Sequence, residues 1–169
     1  MKYLLLLLLL SPLSFANEQP INGFGYYYKV PEHAAINDST QFKIAFDVAD
    51  GAKKGEQNNA MNSLARFINM HVAHGIKPEN IKLALVVHGG ASVDVLSRDE
   101  YKKRFNVDNK NASLIKQLLA NNTQVFVCGQ SATHFKVTPK QLIQGVTMSL
   151  SAMTAHAQLQ QQGYTLNPF

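Results

Sequence analysis

The only cysteine of this chain is the side chain with the clearest potential for chemistry. Cys128 lies in the stretch TQVFVCGQS, where it ends an apolar run and is followed by Gly129, Gln130 and Ser131. We expect these three residues to begin a turn or helix whose free backbone N–H groups point at the sulfur, which favours a nucleophilic thiolate. Cysteine is also one of the most frequently buried residues, so a small structural side chain is the open alternative.

Two further candidates, Asp47 and His88, lie at the ends of predicted strands. Ligands bind at the carboxyl ends of parallel strands, and neighbouring strands are about 4.8 Å apart, so we expect both residues to share a crevice with Cys128. His88 either assists proton transfer or caps its strand, and Asp47 is either part of the site or a solvated carboxylate. Gly89, directly after His88, allows a ligand or another backbone segment to approach closely.

Other motifs are weak or missing. His71 and His74 have a helical spacing that suits a metal, but no third ligand follows nearby, and we predict no metal site. Phosphate-loop, dinucleotide-binding and G-x-S-x-G motifs are absent from the sequence, so we expect no cofactor. A Cys-His hydrolase would need an oxyanion hole and an oriented base, which a sequence does not reveal.

Strands and helices alternate along the chain, which predicts a parallel sheet covered by helices on both faces. The fold class is therefore α/β: a single doubly wound domain with a mostly parallel sheet. In the common strand order 2-1-3-4-5, the first strand would lie between the second and the third. The predicted strands are 42–48, 81–87, 125–128, 145–150 and 164–166, and the predicted helices are 61–75, 98–105, 113–120, 138–143 and 152–162.

The first sixteen residues are typical of a cleaved secretory signal peptide. Lys2 gives a positive start, Leu4 to Leu10 is an apolar run too short to span a bilayer, and Ser14 and Ala16 are small residues suited to a cleavage site. We therefore expect a soluble periplasmic protein with an irregular arm over 17–41 and a folded domain over 42–169. A lone cysteine forms no intramolecular disulfide in that oxidising compartment.

Charge and aromatic residues give little indication of large partners. The formal net charge is +5, but the basic residues are dispersed, and the densest run, 102–104, follows Asp99 and Glu100. We expect neither a nucleic-acid partner nor, after signal cleavage, a membrane partner. The consecutive tyrosines 26–28 offer either a stacking surface for a ligand or a cover for an apolar edge or subunit contact.

Six segments in this order resemble the secreted branch of the DsrE/DsrF-like family: FKIAFDV, LARFINMHVAHGI, KLALVVHGGA, VFVCGQS, MSLSAMTA and QLQQQGYTLNPF. The likeness runs from about Pro20 to Phe169. It implies a flavodoxin-like α/β sandwich that forms homo-oligomers, often trimers or hexamers. In cytoplasmic relatives, a cysteine in the corresponding region accepts sulfur as a persulfide and passes it on.

The resemblance places Cys128 at the position of that cysteine, within VCGQS, and His88 at a position typical of the secreted branch. The signal peptide and the arm depart from the cytoplasmic pattern. After export, the donor and acceptor proteins of a cytoplasmic relay would not be present. The resulting hypothesis is a protein whose Cys128 carries sulfur from a small sulfur or thiol compound, or responds to thiol oxidants. The alternative is a non-catalytic ligand-binding or assembly module with a buried Cys128, and whether the protein is an enzyme stays open.

Overall fold

The computed structural model describes residues 19–167, so the predicted signal peptide, 1–16, lies outside the described residues. Within this range, strands and helices alternate as the apolar patterns predict. The strands are β1 Phe42–Val48, β2 Ile81–Val87, β3 Gln124–Cys128, β4 Thr147–Ser149 and β5 Thr165–Asn167. The helices are α1 Asn59–Ala73, α2 Arg98–Phe105, α3 Ala112–Ala120, α4 Gly129–His134 and α5 Ala152–Gln161.

The strands form one parallel sheet in the order β4-β3-β2-β1-β5. The expected order 2-1-3-4-5 is therefore wrong. That order has β1 between β2 and β3, whereas in the structure β2 lies between β1 and β3. Strands β1 to β4 are added one after another in the same direction, and only β5 returns to pair with β1. Right-handed crossovers that all advance in one direction place their helices on one face, whereas the returning crossover places its helix on the other.

The core reflects this unequal distribution of helices. On one face, side chains from β1, β2 and β3 pack with α1 and α3 in a large apolar cluster that includes Phe46, Leu85 and Val127. On the other face, α5 alone supplies Ala155 and Leu159 to a smaller cluster. The sheet is thus covered on both faces, as predicted, but the second face carries a thin cover that leaves room at the carboxyl ends of the strands.

One local prediction differs from the structure. The helix expected over 138–143 is a single 3-10 turn, Pro139–Gln141, which begins at a proline and has a capping box at Thr138. The arm contains no strand within residues 19–41. Two side chains of α1 hold the arm instead. The Asn69 side-chain amide hydrogen-bonds to the backbone of Ile21 and Phe24, and the Asn62 side-chain oxygen accepts from the Gly25 N–H.

Candidate functional site

The alternation of side chains along parallel strands brings Asp47, His88 and Cys128 to one face of the sheet. Residues 45, 84 and 86 belong to the core beneath α5, and successive strand residues point to opposite faces. Asp47, His88 and Cys128 continue this parity, and each lies at or just after the carboxyl end of its strand. All three line one cavity of about 470 Å³ beside the first turns of α5.

Cys128 lies in this cavity as a buried residue with polar neighbours. Its exposed fraction is 5%, and it immediately precedes α4. Burial raises the pKa of the thiol, but backbone N–H groups of Ser131, Ala152 and Gln130 and the Ser131 hydroxyl lower it by more, so the pKa of Cys128 lies below its usual value. The sulfur therefore faces amides from the start of both α4 and α5, an arrangement that stabilises a thiolate.

The Ser131 hydroxyl is itself held in place by a neighbouring loop. The backbone N–H of Gly89 donates to Ser131 Oγ over 2.9 Å, so the hydroxyl hydrogen remains available to the Cys128 sulfur. Gly89 has φ +51°, and a Cβ there would lie 2.8 Å from the Ala49 carbonyl oxygen. The group that approaches Gly89 closely is therefore the Ala49 backbone. Gly89 affects the Cys128 thiol indirectly, through its hydrogen bond to Ser131.

Gly129 serves a similar purpose beside the thiol. A Cβ at this position would lie 2.6 Å from the Ser149 carbonyl oxygen and 3.1 Å from that of Leu150. Only a glycine lets the end of β4 pass this close to Cys128, and that passage brings Ala152 to the sulfur. Gln130, in contrast, lines the cavity directly.

Asp47 joins two histidines at the side of the cavity. Its Oδ2 lies 2.9 Å from His88 Nε2, and its Oδ1 lies 2.7 Å from His156 Nε2. Partial burial raises the pKa of the Asp47 carboxyl, but hydrogen bonds and charge interactions with the two imidazoles outweigh this effect and hold its pKa below the usual value. The carboxylate therefore orients both rings through its two oxygens.

His156 is the site residue that sequence reasoning missed. It belongs to α5, the helix that carries Ala152 to the sulfur, and 109 positions separate it from Asp47. Its spacing of four from Ala152 and from Gln160 places the three residues on one side of the helix, and all three line the cavity. That spacing was the signal available in the sequence. It indicates a site residue only once α5 is known to lie over the carboxyl ends of the strands.

The histidines once considered as metal ligands lie elsewhere, against the arm. His71 and His74 line an apolar cavity of about 280 Å³, and the rest of its lining consists of His33, Val30, Ala34, Ile36 and Met70. Each Nδ1 faces a backbone carbonyl, and His74 Nε2 is buried without a partner. Burial lowers the pKa of His71, with a further decrease from His74 that opposes the effect of the Phe67 carbonyl. Among residues 19–167, no three His, Cys, Asp or Glu side chains are grouped to hold a metal ion.

Comparisons with known proteins place this chain in a family. The model of the DsrE/DsrF-like family matches residues 43–168. A solved protein of unknown function, MTH1491 from Methanobacterium thermoautotrophicum, superposes with a TM-score of 0.53 at 14% identity, over 75% of this chain and 98% of its own. The ychN protein from E. coli superposes with a TM-score of 0.51 at 18% identity, over 74% of this chain and 97% of its own. No protein with a curated description matches this chain.

The chain belongs to the DsrE/DsrF-like family, because the family model covers most of its length. The two solved structures support the same flavodoxin-like α/β fold. Membership suggests a role related to sulfur relay, and the chain has one cysteine with which to perform it. In the part of the chain that the structure describes, no helix has the length and apolar character needed to cross a bilayer.

Proposed function

We propose that this protein carries sulfane sulfur as a persulfide on Cys128. The observation that supports this function is the setting of the sulfur, which borders a cavity and whose pKa is lowered by the backbone N–H groups of Ser131, Ala152 and Gln130 and by the Ser131 hydroxyl. These donors stabilise a thiolate, and after sulfur transfer they equally stabilise the terminal anion of a persulfide. A purely structural cysteine has no need of so many donors.

The proposed transfer is a thiol exchange with a small persulfide donor, R–S–SH. The Cys128 thiolate attacks the outer sulfur of the donor, a new S–S bond joins that sulfur to Cys128 Sγ, and the S–S bond of the donor breaks. The electron pair leaves with the R–S⁻ group, so the products are Cys128–S–SH and a thiolate. No external oxidant or reductant is required, because the sulfane sulfur arrives at the oxidation level at which it is carried.

Proton transfer in this step falls to the two histidines paired with Asp47. The leaving thiolate must gain a proton, and His88 and His156 both line the cavity with Cys128. The Asp47 carboxylate stabilises the imidazolium that supplies this proton. We assign this role, one of the two that the sequence leaves open for His88, to both His88 and His156.

The decisive experiment combines mass spectrometry with thiol alkylation. Purified protein is treated with a persulfide donor, and a gain of one sulfur on the peptide that contains Cys128 is expected, with none in Cys128→Ser. Iodoacetamide is expected to react with Cys128 faster than with free cysteine below pH 8, because the thiolate fraction is larger. A thiol that neither gains sulfur nor exceeds free cysteine would contradict the proposal and favour a binding module with a structural cysteine.

A response to thiol oxidants is the second candidate function, and the same low pKa of Cys128 favours it. With hydrogen peroxide, the thiolate would bond one oxygen to form a sulfenic acid, the O–O bond would break, and the other oxygen would leave with the electron pair as hydroxide, which gains a proton to become water. Dimedone labelling after peroxide treatment separates the two functions. A rate of labelling that matches free cysteine would leave the persulfide carrier as the only function that this thiol supports.

Export to the periplasm and homo-oligomer formation complete the proposal. The composition of residues 1–16 supports export, and cell fractionation of the full chain against a chain that lacks these residues tests it.

Tyr26 and Tyr28 are 71% and 77% exposed, and their rings meet edge to face with centroids 5.2 Å apart. Such an exposed aromatic pair supports a contact between subunits of a trimer or hexamer.

A further inference from the structure

The cavity beside Cys128 has an unusual charge balance for a site that handles sulfur compounds. Asp47 is the only residue with a permanent charge among those that line it, and no Lys or Arg is present in that lining within the described part of the chain. A Cys128 thiolate adds a second negative charge. A proton on His88 or His156 is held against the Asp47 carboxylate, so the cavity presents the thiolate and no unpaired cation to an incoming molecule.

The mouth of the cavity is apolar. Met153 is 80% exposed and Leu166 is 50% exposed, and both line the cavity. Leu150, directly before the N-cap of α5, is 73% exposed. Large exposed apolar side chains that surround a concave site indicate a ligand with an apolar body.

We infer that the sulfur donor for Cys128 is a small persulfide with an uncharged, apolar body, and that anionic donors are disfavoured. This inference rests on the proposed function and adds the substrate class. A volume of about 470 Å³ accommodates a molecule of this kind. A donor with carboxylates would approach Asp47 and the thiolate without an unpaired cation to bind it, and each such repulsion is stronger in a partly desolvated cavity than in water.

The test compares two donors with the same reactive group, benzyl persulfide and glutathione persulfide. The rate of sulfur gain on Cys128 is divided by the rate of the same donor with free cysteine, which removes intrinsic reactivity. We expect this normalised rate to be roughly tenfold higher for benzyl persulfide at low salt, and the ratio to shrink at high salt as screening weakens the repulsion. The neutral reagent iodoacetamide should show the same advantage over iodoacetate, without any sulfur transfer.

Two variants locate the selectivity in the cavity. Gln160→Lys introduces a cation into the lining and should raise the normalised rate of glutathione persulfide, while Gln158→Lys adds the same charge at an exposed position of α5 outside the lining. Met153→Gln removes the apolar side chain from the mouth and should lower the rate of benzyl persulfide alone. Equal effects of both lysine variants would show that net charge, and not the lining, governs the rates, and would overturn the inference.

The outcomes separate this inference from the function on which it rests. If both persulfides transfer sulfur at equal normalised rates, and iodoacetamide and iodoacetate do likewise, the substrate class is wrong and the carrier function stands. If neither persulfide transfers sulfur, the carrier function is wrong, and the substrate class falls with it even where the alkylating reagents still differ.

Discussion

Asp47 Oδ1 lies 2.7 Å from His156 Nε2, and this contact ties the end of β1 to the middle of α5. The same carboxylate contacts His88 through its other oxygen. Because α5 also brings the Ala152 N–H to the Cys128 sulfur, the position of one helix determines both halves of the site. The acid-base group and the thiol are therefore coupled through the packing of α5.

Replacing Ser131 with alanine should raise the pKa of Cys128. The hydroxyl is a donor to the thiolate, and its removal leaves only backbone donors. The alkylation rate with iodoacetamide at pH 7 is expected to fall roughly tenfold, since a hydrogen bond to a charged group contributes about 1.5 kcal/mol or more. Thr133→Ala is the control, because Thr133 lies on the same helix and bonds the Gly129 carbonyl. Identical rate profiles for the two variants would contradict the role of Ser131.

Replacing Asp47 with asparagine should change how the free energy of unfolding depends on pH. The native pKa of this carboxyl lies below its ordinary value of 3.8, so ionised Asp47 stabilises the fold above that pH, and the contribution is lost as the pH falls through the native pKa. The difference in urea unfolding between wild type and Asp47→Asn should thus be largest near neutral pH and shrink as the pH falls below 3.8. A difference that does not change with pH would show that the loss is not electrostatic.

The link between Asp47 and His156 should appear as a coupling free energy. Unfolding of Asp47→Asn, His156→Gln and the double variant gives this quantity, and we expect about 0.2 to 1 kcal/mol, the usual range for a partly exposed pair. The cycle of Asp47→Asn with His134→Gln, an exposed histidine of α4, is the control and should be additive. Additivity in both cycles would mean that α5 is held by its apolar residues alone.

His71, which lies beneath the arm, should make the fold less stable in mild acid. Burial lowers the native pKa of His71 below 6.5, so the unfolded chain binds more protons in this range and stability increases with pH up to about 6.5. Denaturation midpoints between pH 5 and 7.5 should show this slope, and His71→Gln should reduce it. Phe67→Leu disturbs the ring that stacks on His71 without removing a titrating group, so it should lower stability and keep the slope. An unchanged slope in His71→Gln would assign the effect to other groups.

Substitution of the exposed tyrosines should reduce the mass of the assembly. If Tyr26 and Tyr28 lie at a subunit contact, Tyr26→Ser with Tyr28→Ser removes an apolar pair from it and favours the monomer. Analytical ultracentrifugation of wild type and variant measures the mass directly. Val107→Ser, at another exposed apolar position, should leave it unchanged. A wild type that sediments as a monomer would contradict the homo-oligomer.

Much of this fold was predictable because its elements depend on local patterns. The apolar run of β2 and the helical spacing within α1 are properties of short segments, and Ser97 and Ser151 cap the helices that follow them. The short turn at Pro139–Gln141 was predicted less well, since a proline and a capping residue begin a helix but do not determine its length. Strand order was also not predictable, because it depends on the direction of each crossover.

The sequence alone determined the strands, the parity that points Asp47, His88 and Cys128 in one direction, and the family of the fold. These features follow from the period of a strand and from residue types, which are local properties of the chain. Only the tertiary structure decided that α5 covers this face, that His156 meets Asp47 and that Ala152 reaches the sulfur. Those contacts join residues far apart in sequence, so their formation depends on which way the chain crosses the sheet.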